Sequence, residues 1–210
     1  MKIIDISVTV DSRTVVWPRT PKPAFRKLSS LRKGELSDDT QITTSVHVGT
    51  HLDAPSHFIA SGKSIDKLPL DIFMGRVLVV DLPKIKDIAA EILEALNLET
   101  SVDRLLFKTS NSEPWRKRGG KFNKNYVGVT TSGARWLTKR KLKLIGVDYL
   151  SIAKFNEVQS VHQILLKGNI ALLEGINLAK VKAGTYQLIC LPTRLANVEA
   201  APTRAILLTL

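Results

Sequence analysis

Cysteine is almost absent from this 210-residue chain: Cys190 stands alone, so no internal disulfide can form. It lies in the apolar run Leu188-Ile189-Cys190-Leu191, where it reads as a small buried hydrophobe rather than a nucleophile. No apolar stretch approaches the length of a membrane span. The opening Met1-Lys2-Ile3-Ile4-Asp5 lacks the apolar h-region of a signal peptide. These absences predict a soluble, cytoplasmic protein with no membrane partner. Acidic residues are also in deficit, 19 against 31 Lys and Arg, for a net charge of +12. Much of that charge gathers in Trp115-Arg116-Lys117-Arg118-Gly119-Gly120-Lys121 and Lys139-Arg140-Lys141-Leu142-Lys143. Such clusters serve nucleic-acid or acidic partners when a recognition motif accompanies them. None does here, so we read a solvated basic face and expect no nucleic-acid partner.

The rest of the composition is ordinary: 44% hydrophobic and 24% charged, enough for one domain over residues 1–210 with its own core. Strand-like and helix-like segments alternate. Strands are expected over Ile3–Val8, Arg76–Leu82, Arg104–Thr109, Lys143–Asp148, Asn169–Glu174, Tyr186–Leu191 and Arg204–Leu210, and an extended piece over Gln41–His47. Helices are expected over Lys86–Leu96, from a cap at Thr131 or Ser132 to Lys141, and over Glu157–Leu166, stopped by Gly168. Ser64 to Leu68 suits a short turn before Pro69, prolines 18, 21 and 23 mark an irregular excursion, and 110–124 suits a long polar loop. This interleaving predicts an α/β domain with a mixed β-sheet flanked by helices.

Histidine is scarce as well, four in all, yet its placement is concentrated. Three lie in His47-Val48-Gly49-Thr50-His51-Leu52-Asp53-Ala54-Pro55-Ser56-His57-Phe58, and His162 precedes the apolar strand that ends in Glu174. Imidazole and carboxylate are the usual ligands of zinc, manganese or iron. His51 and Asp53 are two apart and share a face of an extended segment. Gly49 permits a turn that folds His47 back beside His51, and Pro55 stiffens the exit. Glu174, closing Ile170-Ala171-Leu172-Leu173, needs a cation or strong donors if it is buried and ionised. Taken singly, a histidine such as His162 is more often a hydrogen-bonded core residue. Two imidazoles and a carboxylate within seven residues seldom arise from packing.

The segment from His47 to Phe58 resembles the HxGTHxDAPxH signature of the metal-dependent cyclase/hydrolase family, which includes bacterial kynurenine formamidase and isatin hydrolase. The resemblance extends to Ile4-Asp5-Ile6-Ser7, Leu68-Pro69-Leu70 with Gly75, Ile145-Gly146-Val147-Asp148 with Ser151, Ala171-Leu172-Leu173-Glu174-Gly175 with Leu178, Leu191-Pro192-Thr193-Arg194 and Pro202-Thr203-Arg204. It implies a cyclase-like swivelling β/β/α architecture and a homo-oligomer, dimer or tetramer. It implies that His47, His51 and Asp53 bind a first metal, that Asp53, His162 and Glu174 contribute to a second where two are present, and that His57 is the general acid/base. The cofactor expected is one or two ions of Zn2+ or Mn2+, with no organic cofactor. The reaction expected is hydrolysis of an amide or formamide of a small molecule, leaning to arylformamidase (N-formylkynurenine to kynurenine and formate), with a cyclic amide as the alternative. A basic nucleic-acid-binding protein with a structural metal is the non-enzymatic alternative; the cysteine ligands usual in such sites are missing. Trp17-Pro18-Arg19-Thr20 stands where the family often has WPGD, with Arg19 in place of glycine and Thr20 in place of the acid. Trp17 is a candidate for stacking on the substrate, or for packing at the sheet edge.

Overall fold

The apolar runs in the middle of the chain become parallel strands packed side by side. In the computed structural model, which describes residues 1–112 and 120–210, β5 (Met74–Leu82), β6 (Arg104–Thr109), β7 (Leu144–Val147) and β8 (Ala171–Glu174) form the parallel block. Parallel neighbours need crossovers, and α1 (Ala90–Ala95), α2 (Thr131–Thr138) and α3 (Val158–Lys167) supply them in turn. Around the block run β1 (Ile3–Asp5), β4 (His51–Asp53), β9 (Gly184–Ile189), β10 (Ala200–Pro202) and β11 (Ile206–Thr209), all antiparallel to their neighbours. The result is one curled mixed sheet of nine strands in the order β1-β11-β9-β5-β6-β7-β8-β4-β10. A separate hairpin, β2 (Ala24–Ser29) with β3 (Asp39–Thr43), stands outside it.

Both faces of the sheet are covered, so alternate residues feed two cores. Val80, Leu82, Leu105, Phe107, Ile145, Val147 and Leu172 face the helices, where Leu93, Leu137, Val161 and Leu165 meet them. Val77, Val79, Leu106, Leu144, Leu173, Leu188 and Leu207 face the inside of the curl with Leu52 and Phe73. Arg104 is 4% exposed at one rim of this inner core. It bonds the Ile72 carbonyl through Nε at 3.0 Å, the Asp71 carbonyl, and Asp103 at 2.7 Å. Cys190 is fully buried, as expected, and burial pushes its thiol up to about 12.

Element boundaries differ from the sequence-based expectation for local reasons. α1 begins at Ala90 rather than Lys86, because the Ile88 N–H bonds the Gly128 carbonyl at 2.9 Å and holds that stretch extended. α2 is capped by Thr130, whose hydroxyl accepts from the Gly133 N–H at 3.2 Å. Thr131, one of the expected caps, instead donates through its backbone to Glu157 at 2.6 Å. β1 stops at Asp5, since the next segment turns towards Thr50, whose hydroxyl takes the Val8 N–H at 2.9 Å. β2 and β10 were not expected; β2 follows the prolines directly, and β10 is three residues ending in Pro202 at the sheet edge, a position proline tolerates.

Of the expected basic clusters, the run from Trp115 to Arg118 lies outside the described residues. In the other, Arg140 stacks over Trp136 at 5.2 Å and bonds the Leu98 carbonyl at 2.5 Å, and Lys143 pairs with Asp71 at 2.8 Å. Part of that charge is thus engaged within the molecule. Among the described residues no helix is long and apolar enough to cross a membrane.

Gly133 tests the packing of α2 on the sheet. A Cβ at this buried helical position would overlap the Ile88 carbonyl oxygen, a backbone atom that cannot swing aside. Alanine in a free helix gains about 1 kcal/mol over glycine. Here overpacking should outweigh that gain, so Gly133→Ala is expected to destabilise by about 1–3 kcal/mol, read from the midpoint of urea unfolding.

Candidate metal centre

Strand alternation builds the centre. In β4, Leu52 points into the inner core while His51 and Asp53 turn to the helix side, and all three are buried. β4 pairs antiparallel with β8 in a register that sets His51 directly opposite Glu174. Two glycines allow the approach. Gly49 has φ 73° and Gly175 φ 67°, and a Cβ on Gly175 would run into the Gly49 carbonyl oxygen. Thr50 locks the crossing by donating its hydroxyl to the Gly175 carbonyl at 2.6 Å. Pro55 then opens a short 3-10 turn, Pro55–His57, that carries His57 back over the strand. From the helix layer, α3 lowers His162 onto the same spot.

The contacts are short and converge on Asp53. His47 Nδ1 lies 3.0 Å from Asp53 Oδ1 and His51 Nε2 lies 3.5 Å from the same oxygen. His162 Nε2 and His57 Nε2 are 3.8 and 3.9 Å from Oδ2. Glu174 contributes Oε2 at 3.6 Å from His51 Nε2 and Oε1 at 3.2 Å from His162 Nε2. Two backbone carbonyls fix the tautomers: His51 Nδ1 donates to Gly49 at 3.0 Å and His162 Nδ1 donates to Val158 at 2.7 Å. In their neutral forms both rings therefore turn an Nε2 lone pair towards carboxylate oxygens. Lone pairs facing anionic oxygens repel, and only a proton or a cation between them removes the repulsion.

Donor atoms left unsatisfied make the same point. Among the described residues, His51 Nε2 and both Asp53 oxygens are buried without a well-formed hydrogen bond, His47 approaching Oδ1 at 3.0 Å as an ion pair, a costly condition in a folded interior. Ligand atoms about 2.1 Å from a tetrahedral ion lie roughly 3.4 Å apart, close to the 3.5 and 3.6 Å that separate His51 Nε2 from Asp53 and Glu174. The donor set therefore fits a divalent ion. Two groups of three have ligand atoms within 4.8 Å of one another: His51, Asp53 and Glu174, and His47, Asp53 and His57.

The electrostatics follow from these distances. Burial works against a charged His47, but the Asp53 carboxylate beside it, with Glu174 and Glu199, raises its pKa to about 9. His162 is raised for the same reasons, burial being outweighed by Glu174 and Asp53. For Asp53, burial favours the neutral acid, yet His47, His51 and His57 hold it well below the ordinary carboxylate range. His57 goes the other way: burial, together with the His47 and His162 charges, lowers its pKa despite Asp53.

The structure thus brings together all six residues singled out in the sequence, His47, His51, Asp53, His57, His162 and Glu174. Distance alone groups them in more than one way. His57 falls within ligand distance of His47 and Asp53, and Glu174 is grouped with His51, while His162 joins neither group of three. Spacing along the chain does not fix this partition, because it depends on side-chain torsions. Trp17 sits among other aromatic rings. It packs edge-on against Phe122 at 5.0 Å and tilted on Phe155 at 5.5 Å, and it also lines the cavity above the centre. One residue was missed: Glu199, whose Oε1 lies 3.1 Å from His47 Nε2. Its only signal in the sequence is an acid set directly before an apolar strand, the mirror of Glu174 at the end of one.

A cavity of about 220 Å³ covers the centre, lined by His47, His51, His57, His162 and Glu174 with Trp17, Phe58 and Ser151 among its walls. It adjoins an open cleft of about 860 Å³, and Trp17, His57, Phe58 and Val158 line both.

A buried imidazole–carboxylate cluster thus lies beside a cavity, at the carboxyl end of β8, with a donor set that fits a divalent cation. The chain belongs to the cyclase family: residues 4–154 match the family described as "Putative cyclase". It is 39% identical to cyclase-like protein 1 of Arabidopsis thaliana, over 99% of this chain and 85% of that protein. It is 30% identical to kynurenine formamidase of Bacillus anthracis, over 98% of this chain and 97% of the relative. Among solved structures, a predicted metal-dependent hydrolase from Bacillus stearothermophilus superposes with a TM-score of 0.84 at 26% identity, covering 98% of this chain and 97% of that one.

Protonation of His47 gives the centre a pH signature. In the metal-free fold its raised pKa adds stability that is fully present below about pH 6.5 and is lost as the pH rises through about 9. A ligating nitrogen must shed that proton, so cation binding releases it. Apparent affinity for zinc is therefore expected to rise by up to about tenfold per pH unit from this group alone, levelling above about pH 9. Chelator competition across that range measures the slope.

Proposed function

We propose that this chain is a divalent-metal-dependent hydrolase that cleaves the C–N bond of a small amide, with an arylformamide as the favoured substrate. The observation that carries the reading is a set of buried atoms, His51 Nε2 with Asp53 Oδ1 and Oδ2, that make no well-formed hydrogen bond among the described residues and lie beneath a cavity that His51 lines. His47, His51 and Asp53 would hold the ion, with Glu174 opposite His51. Once bound, zinc or manganese supplies Lewis-acid polarisation of a carbonyl and activation of water. The 30% identity to a kynurenine formamidase over nearly the whole chain supports the formamide, and the aromatic walls Trp17, Phe58 and Phe155 support an aryl group.

The protein's own residues supply orientation and proton transfer. Val158 and Gly49 hold the rings of His162 and His51 with Nε2 inward, so no rotation is needed when a ligand arrives. Ile152 donates its N–H to Glu174 Oε1 at 2.7 Å, which fixes that carboxylate and leaves Oε2 free. His57 stands at the mouth of the cavity, half-buried, with a lowered pKa that keeps it neutral at pH 7. A neutral imidazole can take a proton at Nε2 and pass it to the departing amine nitrogen.

Two substitutions separate these roles. His51→Ala is expected to abolish zinc or manganese retention and formamide hydrolysis together; hydrolysis persisting in a metal-free variant would refute the reading. His57→Ala is expected to keep the metal content while kcat falls by about 10²–10⁴. Loss of metal from that variant would make His57 a ligand instead of the proton carrier.

We also propose that the chain assembles as a homo-oligomer through the β2–β3 hairpin. This hairpin, with its connecting turn, exposes Phe25, Leu28, Leu31, Leu36 and Ile42, an apolar concentration unusual for a monomer surface. Leu28→Asp with Ile42→Asp is expected to lower the mass measured by light scattering to that of a single chain.

A further inference from the structure

The segment Trp17-Pro18-Arg19-Thr20 is a β-turn, closed by the Thr20 N–H on the Trp17 carbonyl at 2.9 Å. Pro18 holds the second position, and Arg19, at the third, has φ 73°. A turn of this kind asks for a left-handed residue there, which glycine provides without steric cost. A Cβ makes the same conformation unfavourable, so the chain retains strain at this position to present an arginine. Strain of this sort gathers at binding sites.

The side chain stands on the rim of the open cleft, with Trp17, Phe58 and Phe155 lining the apolar part and Gln159 and Gln163 on α3. Among the described residues Arg19 makes no ion pair and no side-chain hydrogen bond. Among the described residues no aspartate or glutamate lines the cleft, so none of them opposes its positive charge there. The two glutamines, four apart on α3, share one helix face and add amide donors. Because the cleft shares Trp17, His57, Phe58 and Val158 with the inner cavity, one molecule can reach both.

We propose that Arg19 determines specificity for an anionic substrate: an amide whose reacting carbonyl enters the inner cavity, whose apolar body lies along Trp17, Phe58 and Phe155, and whose far end carries a carboxylate held by the Arg19 guanidinium. This rests on the hydrolase reading above and adds the charge of the substrate to it. A planar guanidinium binds a carboxylate through two parallel N–H bonds, which explains an arginine rather than a lysine.

The test uses the zinc-loaded protein and two matched pairs of probes. Hydrolysis is compared for N-formyl-4-aminobenzoate and formanilide, and binding of 4-acetamidobenzoate and acetanilide by calorimetry. Wild type is expected to favour the carboxylate member of each pair by roughly tenfold. In Arg19→Gly that ratio collapses towards one while the melting temperature rises, because the turn loses its strain; Arg19→Lys keeps only part of the ratio. Absence of any preference in wild type, or a preference that survives Arg19→Gly, overturns the proposal; the second result would place the carboxylate at the metal centre. If an Arg19-dependent preference appears in binding while neither formamide is hydrolysed, anion recognition stands and the formamide reading falls. If both are hydrolysed at equal efficiency, the reverse holds.

Discussion

A carboxylate with no exposed surface, ringed by imidazoles, is the constraint around which the molecule is organised. Asp53 is fully buried and ionised, with Glu174 a second carboxylate in the same cluster. An isolated buried carboxylate costs several kcal/mol, and two in one cluster repel each other. What makes the arrangement tolerable is positive charge, carried as protons on His47 and His162 or as a cation among the same atoms. The unequal response of the histidines follows from position. His47, 3.0 Å from Asp53, and His162, 3.2 Å from Glu174, hold protons more tightly, and His57, buried and flanked by two other imidazoles, holds its proton less tightly. One cluster thus contains imidazoles of opposite tendency, two held towards the protonated form and one towards the neutral form.

The fold exists to deliver that cluster intact. The parallel block and its helices form a stiff layer with apolar contacts on both faces, and the centre is placed where β8 ends and α3 crosses above it. Alternation along β4 sends Leu52 one way and His51 and Asp53 the other, so one short strand both seals the inner core and brings His51 to the cavity. Hydrogen bonds from backbone carbonyls set the ring orientations before any ligand arrives, which reduces the reorganisation a bound ion must drive.

Much of this was legible in the sequence, where local rules apply. The i, i+2 spacing of His51 and Asp53 gave their shared face, Gly49 the turn and Pro55 the break. The continuous apolar runs identified β5 to β8 because strands buried on both faces have no polar positions to interrupt them. Features set by distant partners were not legible. The late start of α1 depends on a carbonyl forty residues away in sequence, at Gly128. Thr130, Thr131 and Ser132 are chemically alike as caps, and only the position of Glu157 decides which one serves. Glu199 reaches His47 from the far end of the chain with no motif around it. The division of the six clustered side chains into groups depends on torsions that spacing does not encode.

The pairing of His51 with Glu174 has a mechanical consequence. β4 and β10 are three-residue strands at one margin of the sheet, each joined to its inner neighbour by only a short ladder. A cation shared between β4 and β8 would rivet that margin to the parallel block, in the one register that keeps His51 opposite Glu174; a slip of a single residue would turn the ligands to the other face. Binding energy spent there is folding energy. The supply of metal would then govern how much of the protein stays folded, as well as how fast it works.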